Sequence, residues 1–185
     1  MAEGLYEVRW HARAGQGAIT TASLLGYAYF LKGMFPYAFP HFGAARMGAP
    51  MNAFVRVDSA PVRLRSQIYE PDYLIIMDAT LMRGFNCFSG LKEEGIAIIN
   101  KNDAVEIPKV KSKQKIFTVP ANEIAVKTIG RPLGNTALLG AFCAATGELS
   151  LEFLLEALKK RFSDKTQAAN IESAKQGFEY IKKNI

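Results

Sequence analysis

The chain is 185 residues long, 49% apolar, and carries a net charge of +6. That length supports a single domain over residues 1–185 with a full hydrophobic core and no need of disulfide or metal staples. Its cysteines, Cys87 and Cys143, stand apart without C-x-x-C spacing. This excludes an iron–sulfur cluster or cysteine zinc site within the chain and suits a reducing cytoplasm.

Met1-Ala2-Glu3-Gly4 has no basic segment leading into an apolar one, so no secretory leader is expected. Leu5 to Trp10 alternates like a strand. Ala18 to Lys32 reads as a helix stopped by Gly33, and its small residues Ala18, Ala22 and Gly26 let it lie close to a sheet. Phe35 to Pro50 holds Pro36, Pro40, Gly43, Gly48 and Pro50 without a clear period, and is expected to be a functional loop. Met51 to Val57 reads as a strand, Asp58-Ser59-Ala60-Pro61 as a turn, and Val62 to Arg65 as the other arm of a β-hairpin. Tyr73 to Met77 and Ile96 to Asn100 are continuously apolar, as strands buried on both faces of a parallel sheet are. A short helix near Phe88 to Glu94 is expected between them. Lys115 to Val119 gives a further strand. Helices follow at Ala121 to Ile129, Thr136 to Ala145, Leu151 to Phe162 and Gln167 to Lys183, the last charged and outermost. This alternation predicts an α/β fold: a three-layer α/β/α sandwich around a mostly parallel sheet with one antiparallel hairpin. No apolar run reaches membrane-spanning length.

Between Val8 and Val57 there is no aspartate or glutamate, while Arg9, Arg13, Lys32, Arg46 and Arg56 supply +5 of the net charge. The rest of the chain is nearly balanced, which points to a local anion site rather than a uniformly basic surface. Arg13-Ala14-Gly15-Gln16-Gly17 follows the first strand and precedes the first helix, where backbone N–H groups can face an anion. It is a poor dinucleotide fingerprint, because Thr20 takes the place of the third glycine and no carboxylate precedes Asp58. A P-loop fails too, for want of Gly-Lys-Ser/Thr. Two readings remain: an anion-binding turn flanked by Arg13, or a tight turn that needs glycine for positive φ.

In the Phe39-to-Pro50 stretch, His41 and Arg46 can contact a phosphate or carboxylate, or the segment can be a docking surface. Asp78 stands at the end of a buried strand, where it can serve a site or cap the next short helix. Asn135 and Thr136 can cap the helix they open or join the anion site. Lys109, Lys111, Lys113 and Lys115 alternate without interleaved aromatics, which fits a solvated loop or edge strand and not nucleic acid. No Ser/His/Asp set and no H-E-x-x-H motif stands out, so no catalytic residue is assigned.

These residues resemble the gamma subunit, or gamma domain, of 2-oxoacid:ferredoxin oxidoreductases of the pyruvate synthase type. The resemblance runs through Arg9-Trp10-His11-Ala12-Arg13-Ala14-Gly15-Gln16-Gly17-Ala18, Ala38-Phe39-Pro40 and Arg46-Met47-Gly48-Ala49-Pro50. It continues in Arg63 to Asp72 and in Gly130-Arg131-Pro132-Leu133-Gly134-Asn135-Thr136, on to Ala141. Ala12 and Ala14 stand where many members carry glycine, and alanine is strained wherever φ must be positive.

The resemblance implies an accessory subunit of an enzyme that oxidatively decarboxylates a 2-oxoacid with coenzyme A, giving acyl-CoA, CO2 and reduced ferredoxin. It places thiamine diphosphate on alpha and beta partners and iron–sulfur clusters on beta and delta partners. Joined to the charge reading, it makes Arg13, Gly15, Gln16, Gly17, Arg46, Asn135 and Thr136 candidates either to cradle coenzyme A phosphates or to dock on the thiamine-binding chains. The rival expectation is a free-standing nucleotide- or anion-binding domain. Branched-chain 2-oxoacids, 2-oxoglutarate and aryl pyruvates stay open as substrates beside pyruvate.

Overall fold

The computed structural model describes residues 4–42 and 46–185. Met1, Ala2 and Glu3, part of the stretch read as leaderless, and Gly43, Ala44 and Ala45, part of the expected loop, lie outside the described residues.

Six strands form one sheet in the order β2 (Phe35–Phe42), β3 (Pro50–Asp58), β1 (Tyr6–Arg13), β4 (Tyr73–Ile76), β5 (Ile96–Asn100) and β6 (Lys115–Val119). β1, β4, β5 and β6 run parallel to one another, and β3 is antiparallel to both β1 and β2. The expected α/β class with a mostly parallel sheet is present, and so is the hairpin, but from other residues. Phe35–Phe42 is a strand and not a loop, paired with β3 from Phe35 opposite Asp58 to Phe42 opposite Met51. Val62 to Arg65 forms no strand. Pro36 and Pro40 argue against a strand because proline cannot donate to a ladder, yet β2 is the sheet's edge and asks for donors on one side only. A second departure lies after β4. Residues 88–94 form turns, and a 3-10 helix spans Ala79–Arg83 instead, with the Asp78 side chain accepting from the Thr80 N–H as its cap.

The α-helices fall close to their expected places: α1 (Ala18–Leu31), α2 (Ala121–Ile129), α3 (Asn135–Thr146), α4 (Leu151–Arg161) and α5 (Asp164–Lys183). All five bury side chains in one cluster with Val8, Trp10, Val55, Ile75, Ile98 and Val119. Those strand residues alternate with ones that point to the other face, as the period of a strand requires. There Leu74, Ile76, Ala97 and Ile99 meet Leu81, Cys87 and Leu91. The third layer is therefore thin, a 3-10 helix and irregular chain, and it lies over the face that carries Arg9, His11 and Arg13. Among the described residues no helix is long and apolar enough to cross a membrane.

α3 and α5 approach so closely that a Cβ on Gly140 would overlap the backbone of Ala174, and one on Gly177 the backbone of Ala137. Glycine is normally unfavourable in a helix interior by about 1 kcal/mol against alanine. Here backbone cannot move aside, so Gly177→Ala should lose about 1–3 kcal/mol of stability, as overpacking does. Urea unfolding measures it, and a gain in stability would show that the two helices have room to part.

Candidate functional site

β1 ends at Arg13 and α1 begins at Ala18, so the glycine turn is the whole connection between them. Gly15 (φ 98°) and Gly17 (φ 80°) occupy the left-handed region that favours glycine. Ala12 and Ala14 do not, so neither alanine is strained. A Cβ on Gly17 would sit 2.7 Å from Asn135 Nδ2, and one on Gly15 would run into Met47 Sδ. Gln16 folds back on the turn. Its N–H donates to the Arg13 carbonyl at 3.1 Å, and its Oε1 accepts from the Arg13 N–H at 2.8 Å. Asn135 Nδ2 donates to the Gln16 carbonyl at 3.0 Å, tying the turn to the start of α3. On the other side Ala14 donates to the Ala49 carbonyl at 2.8 Å and Gly48 donates to that of Ala14 at 3.0 Å.

The cation beside this turn already has an anion. Arg13 Nε lies 3.0 Å from Asp78 Oδ2, its Nη1 donates to the Gly48 carbonyl at 3.3 Å, and its Nη2 donates to Thr80 Oγ1 at 3.2 Å. Gln16 Nε2 donates to the same Asp78 oxygen at 3.0 Å, while Asp78 Oδ1 accepts from the Thr80 N–H at 3.0 Å and its hydroxyl at 2.6 Å. Burial pushes the Asp78 carboxyl up, but the Thr80 and Gln16 hydrogen bonds and the Arg13 charge outweigh it and hold the group below its ordinary range. Asp78 is thus both the helix cap and the counterion of the turn.

Of the residues singled out from sequence, Arg13, Gly15, Gln16, Gly17 and Asn135 come together here. Thr136 does not: it is buried, and its hydroxyl donates to Asn170 Oδ1 of α5 at 3.2 Å. Arg46 stands exposed at the tip that Gly48 and Ala49 anchor, and its side chain makes no hydrogen bond among the described residues. Met47 beside it is 83% exposed while its sulfur lies over Gly15.

The crevice between β1 and β4, where the connections diverge to opposite sides of the sheet, is where open α/β folds usually bind ligands. Here carboxamides fill it. Asn100 Nδ2 donates to the Met77 carbonyl at 3.0 Å, its Oδ1 accepts from the Asn122 N–H at 3.3 Å, and Asn122 Oδ1 accepts from the Gly134 N–H at 3.2 Å. With Gln16 and Asn135 they leave a cavity of about 30 Å3, the size of one water and not of a phosphate.

On the thin face Arg9 and His11 project from β1 beneath the irregular layer. Arg9 Nε donates to His11 Nε2 at 3.2 Å. Burial first, and then the Arg9 charge, lower the His11 pKa to about 3, against the opposing pull of the Cys87 carbonyl, so the ring is neutral near pH 7. His11, Asn52 and His41 lie side by side across β1, β3 and β2. They line a cavity of about 300 Å3 with Leu81 and Phe85, and Gln67 Nε2 lies 3.1 Å from His41 Nδ1. Among the described residues no three metal-ligating side chains are grouped to hold an ion. The Arg13–Asp78 pair and the Met47 cover over Gly15 were not found from sequence, since both depend on long-range pairing. Strand alternation in β1, which puts Arg9, His11 and Arg13 on one face, was the available signal.

The chain belongs to the pyruvate ferredoxin/flavodoxin oxidoreductase family, whose model matches residues 7–180. It is 42% identical over 179 residues to pyruvate synthase subunit PorC of Methanothermobacter thermautotrophicus, with 97% of each chain covered. To the protein named pyruvate/ketoisovalerate oxidoreductases common subunit gamma in Pyrococcus furiosus it is 43% identical over 178 residues, covering 95% of this chain and 96% of that one. The crystal structure of pyruvate oxidoreductase subunit PORC from Thermotoga maritima matches with a TM-score of 0.81 at 33% identity, covering 96% and 97% of the two chains. The resemblance carried by the sequence motifs is borne out.

Proposed function

We propose that this chain is the gamma subunit, a single accessory domain, of a cytoplasmic oxidoreductase that converts a 2-oxoacid (pyruvate first) and coenzyme A into acyl-CoA and CO2, passing two electrons to ferredoxin. Alpha, beta and delta partners carry the thiamine diphosphate and the iron–sulfur clusters. The observation that carries this reading is the match over nearly the full length of both chains to relatives named as subunits. One of those is named as common to pyruvate and ketoisovalerate enzymes, which supports a gamma chain that leaves the choice of oxoacid to its partners.

Within the subunit, Arg13, Gly15, Gln16, Gly17 and Asn135 act as a frame. With Asp78 neutralising Arg13, the frame holds out the tip at residues 46–50, where Arg46 and Met47 are offered to a partner. Arg and Met are residues that interface cores favour. A second reading has a specific support: an Arg46 with no partner among the described residues suits a coenzyme A phosphate equally well by chemistry.

Arg46→Ala separates the two. Docking predicts about a tenfold loss in recovery of the assembled complex, the effect of roughly 1.4 kcal/mol. Intact assembly with a coenzyme A KM raised about tenfold would assign the tip to the coenzyme instead. No change in either quantity would refute both roles for Arg46. Recovery of the chain from its own host as a lone monomer that binds nucleotides would favour the free-standing domain.

A further inference from the structure

α1 holds no charged residue between Ala18 and Leu31, and its apolar side chains are not confined to its buried face. Ile19, Tyr27 and Phe30 are exposed, Phe30 by 60%, and Phe35 of β2 extends the strip. A helix without charge on any side suits an interior, yet within this chain only one side of α1 is covered, and its open face mixes Ile19, Tyr27 and Phe30 with Thr20 and Ser23. α4 and α5, by contrast, end in charged turns with Lys159, Lys160 and Arg161 or Lys182 and Lys183. The Tyr27 and Phe30 rings stack with centroids 6.1 Å apart and form a ridge. On one side of the ridge a concavity of about 650 Å3 reaches to Lys160 and Arg161. On the other, a groove of about 530 Å3 runs past Phe35 and Tyr37 to Arg65, whose guanidinium lies 4.1 Å from the Tyr37 ring centroid.

We propose that this ridge is the docking face for a larger subunit of the oxidoreductase, one that meets it with apolar side chains for the two grooves and carboxylates for Lys160, Arg161 and Arg65. The inference rests on the subunit reading above and names a surface distinct from the tip at residues 46–50. Charge selects the occupant. Cations border both grooves, and Val8 to Val57 holds no acid, so a second copy of this chain would bring like charges together. Asp58, opposite Phe35, turns its carboxylate into its own turn, accepting from Ser59 and Ala60 at 3.3 Å each. The neighbouring edge of β2 is also closed to an added strand. Prolines can stand in this ladder only with their ring nitrogens outward, so Pro36 and Pro40 leave gaps in the donor row. Contact must be made by side chains.

The test is co-expression of this chain with its partner subunits and recovery of the complex, comparing wild type, Phe30→Glu, and Lys160→Glu combined with Arg161→Glu. These side chains are exposed, so the isolated variants should keep the wild-type circular dichroism and melting temperature. Recovery should fall at least tenfold for Phe30→Glu, and several-fold for the charge reversal, with the latter deficit shrinking as salt is raised. Tyr27 should be protected from covalent labelling in the wild-type complex. Wild-type recovery of both variants, or a Tyr27 labelled as readily in the complex as in the free chain, would overturn this face while leaving the subunit reading intact. A wild-type chain that captures no larger subunit would overturn both. A free dimer broken by Phe30→Glu would give the face to a second copy and refute the proposal.

Discussion

Arg9→Met should lower the unfolding free energy of the isolated chain by about 3–5 kcal/mol, seen as an earlier urea midpoint with little change of slope. Arg9 is only 7% exposed, and among the described residues no carboxylate pairs with it. Its Nη1 donates to the carbonyls of Ile68 at 3.3 Å and Tyr69 at 3.2 Å, and its Nη2 to those of Cys87 at 3.2 Å and Ser89 at 2.5 Å. One planar guanidinium thus holds two separate stretches of the irregular layer against β1. Methionine would fill the volume of the stem and leave the buried carbonyls of Ile68 and Cys87 without donors. Arg9→Lys should recover only part of the loss, since an ammonium is a point and cannot span both stretches. Arg56 supports the same layer from β3, with Nε 2.7 Å from Glu7 Oε1 and Nη1 donating to the Ser66 carbonyl at 2.6 Å. A loss below about 1 kcal/mol for Arg9→Met would mean that Arg56 alone suffices to hold the layer.

Acid should expose the other large effect. His11 has a folded pKa of about 3 and an ordinary one of 6.5, so the unfolded chain takes up its proton first as pH falls. The neutral ring's contribution is complete above pH 6.5 and is lost progressively between there and about 3. At about 1.4 kcal/mol per pH unit, the loss is on the order of 5 kcal/mol by the low end. Asp78 acts in the same direction but lower: its depressed pKa makes its contribution complete above its ordinary value of 3.8 and lost only below that. The interval from about pH 6.5 to 5 therefore reports chiefly on His11 rather than on Asp78. His11→Gln keeps an acceptor for Arg9 Nε and should flatten the stability curve over that interval. An unchanged slope in the variant would show that His11 is protonated in the folded chain as readily as in the unfolded one.

The elements whose sequence pattern answers to local packing were legible. β4 and β5 are apolar runs because both faces are covered, α3 is one because it is buried on all sides, and α2, α4 and α5 carry their periods plainly. β2 was not legible. Phe35–Phe42 alternates aromatic side chains with proline and alanine, and its prolines read as loop residues until the strand is known to lie at an edge. The second arm of the hairpin was misplaced for the same reason: with β2 unseen, Val62 to Arg65 was the extended run left to pair with β3. In the site, the glycines and Gln16 were found because a tight turn announces itself over five residues. Nothing in the local sequence pairs Arg13 with an acid, because its partner, Asp78, is 65 residues away. Only the parallel pairing that sets His11 opposite Ile76 brings the two strand ends together. Thr136 was legible as a helix-opening residue but not as one turned inward, which depends on where α5 lies.

The two rims of the sheet bear on the time between synthesis and assembly. A subunit that waits for its partner chains must carry its apolar ridge through a crowded cell without becoming a seed. Irreversible clumping of such orphans usually begins where open strand edges zip together. β2 interrupts its rim with Pro36 and Pro40, and β6 opens the opposite rim with Lys115, whose charge resists a stacked neighbour. Unassembled copies can then touch through the ridge and separate again, because strand pairing is discouraged at both margins.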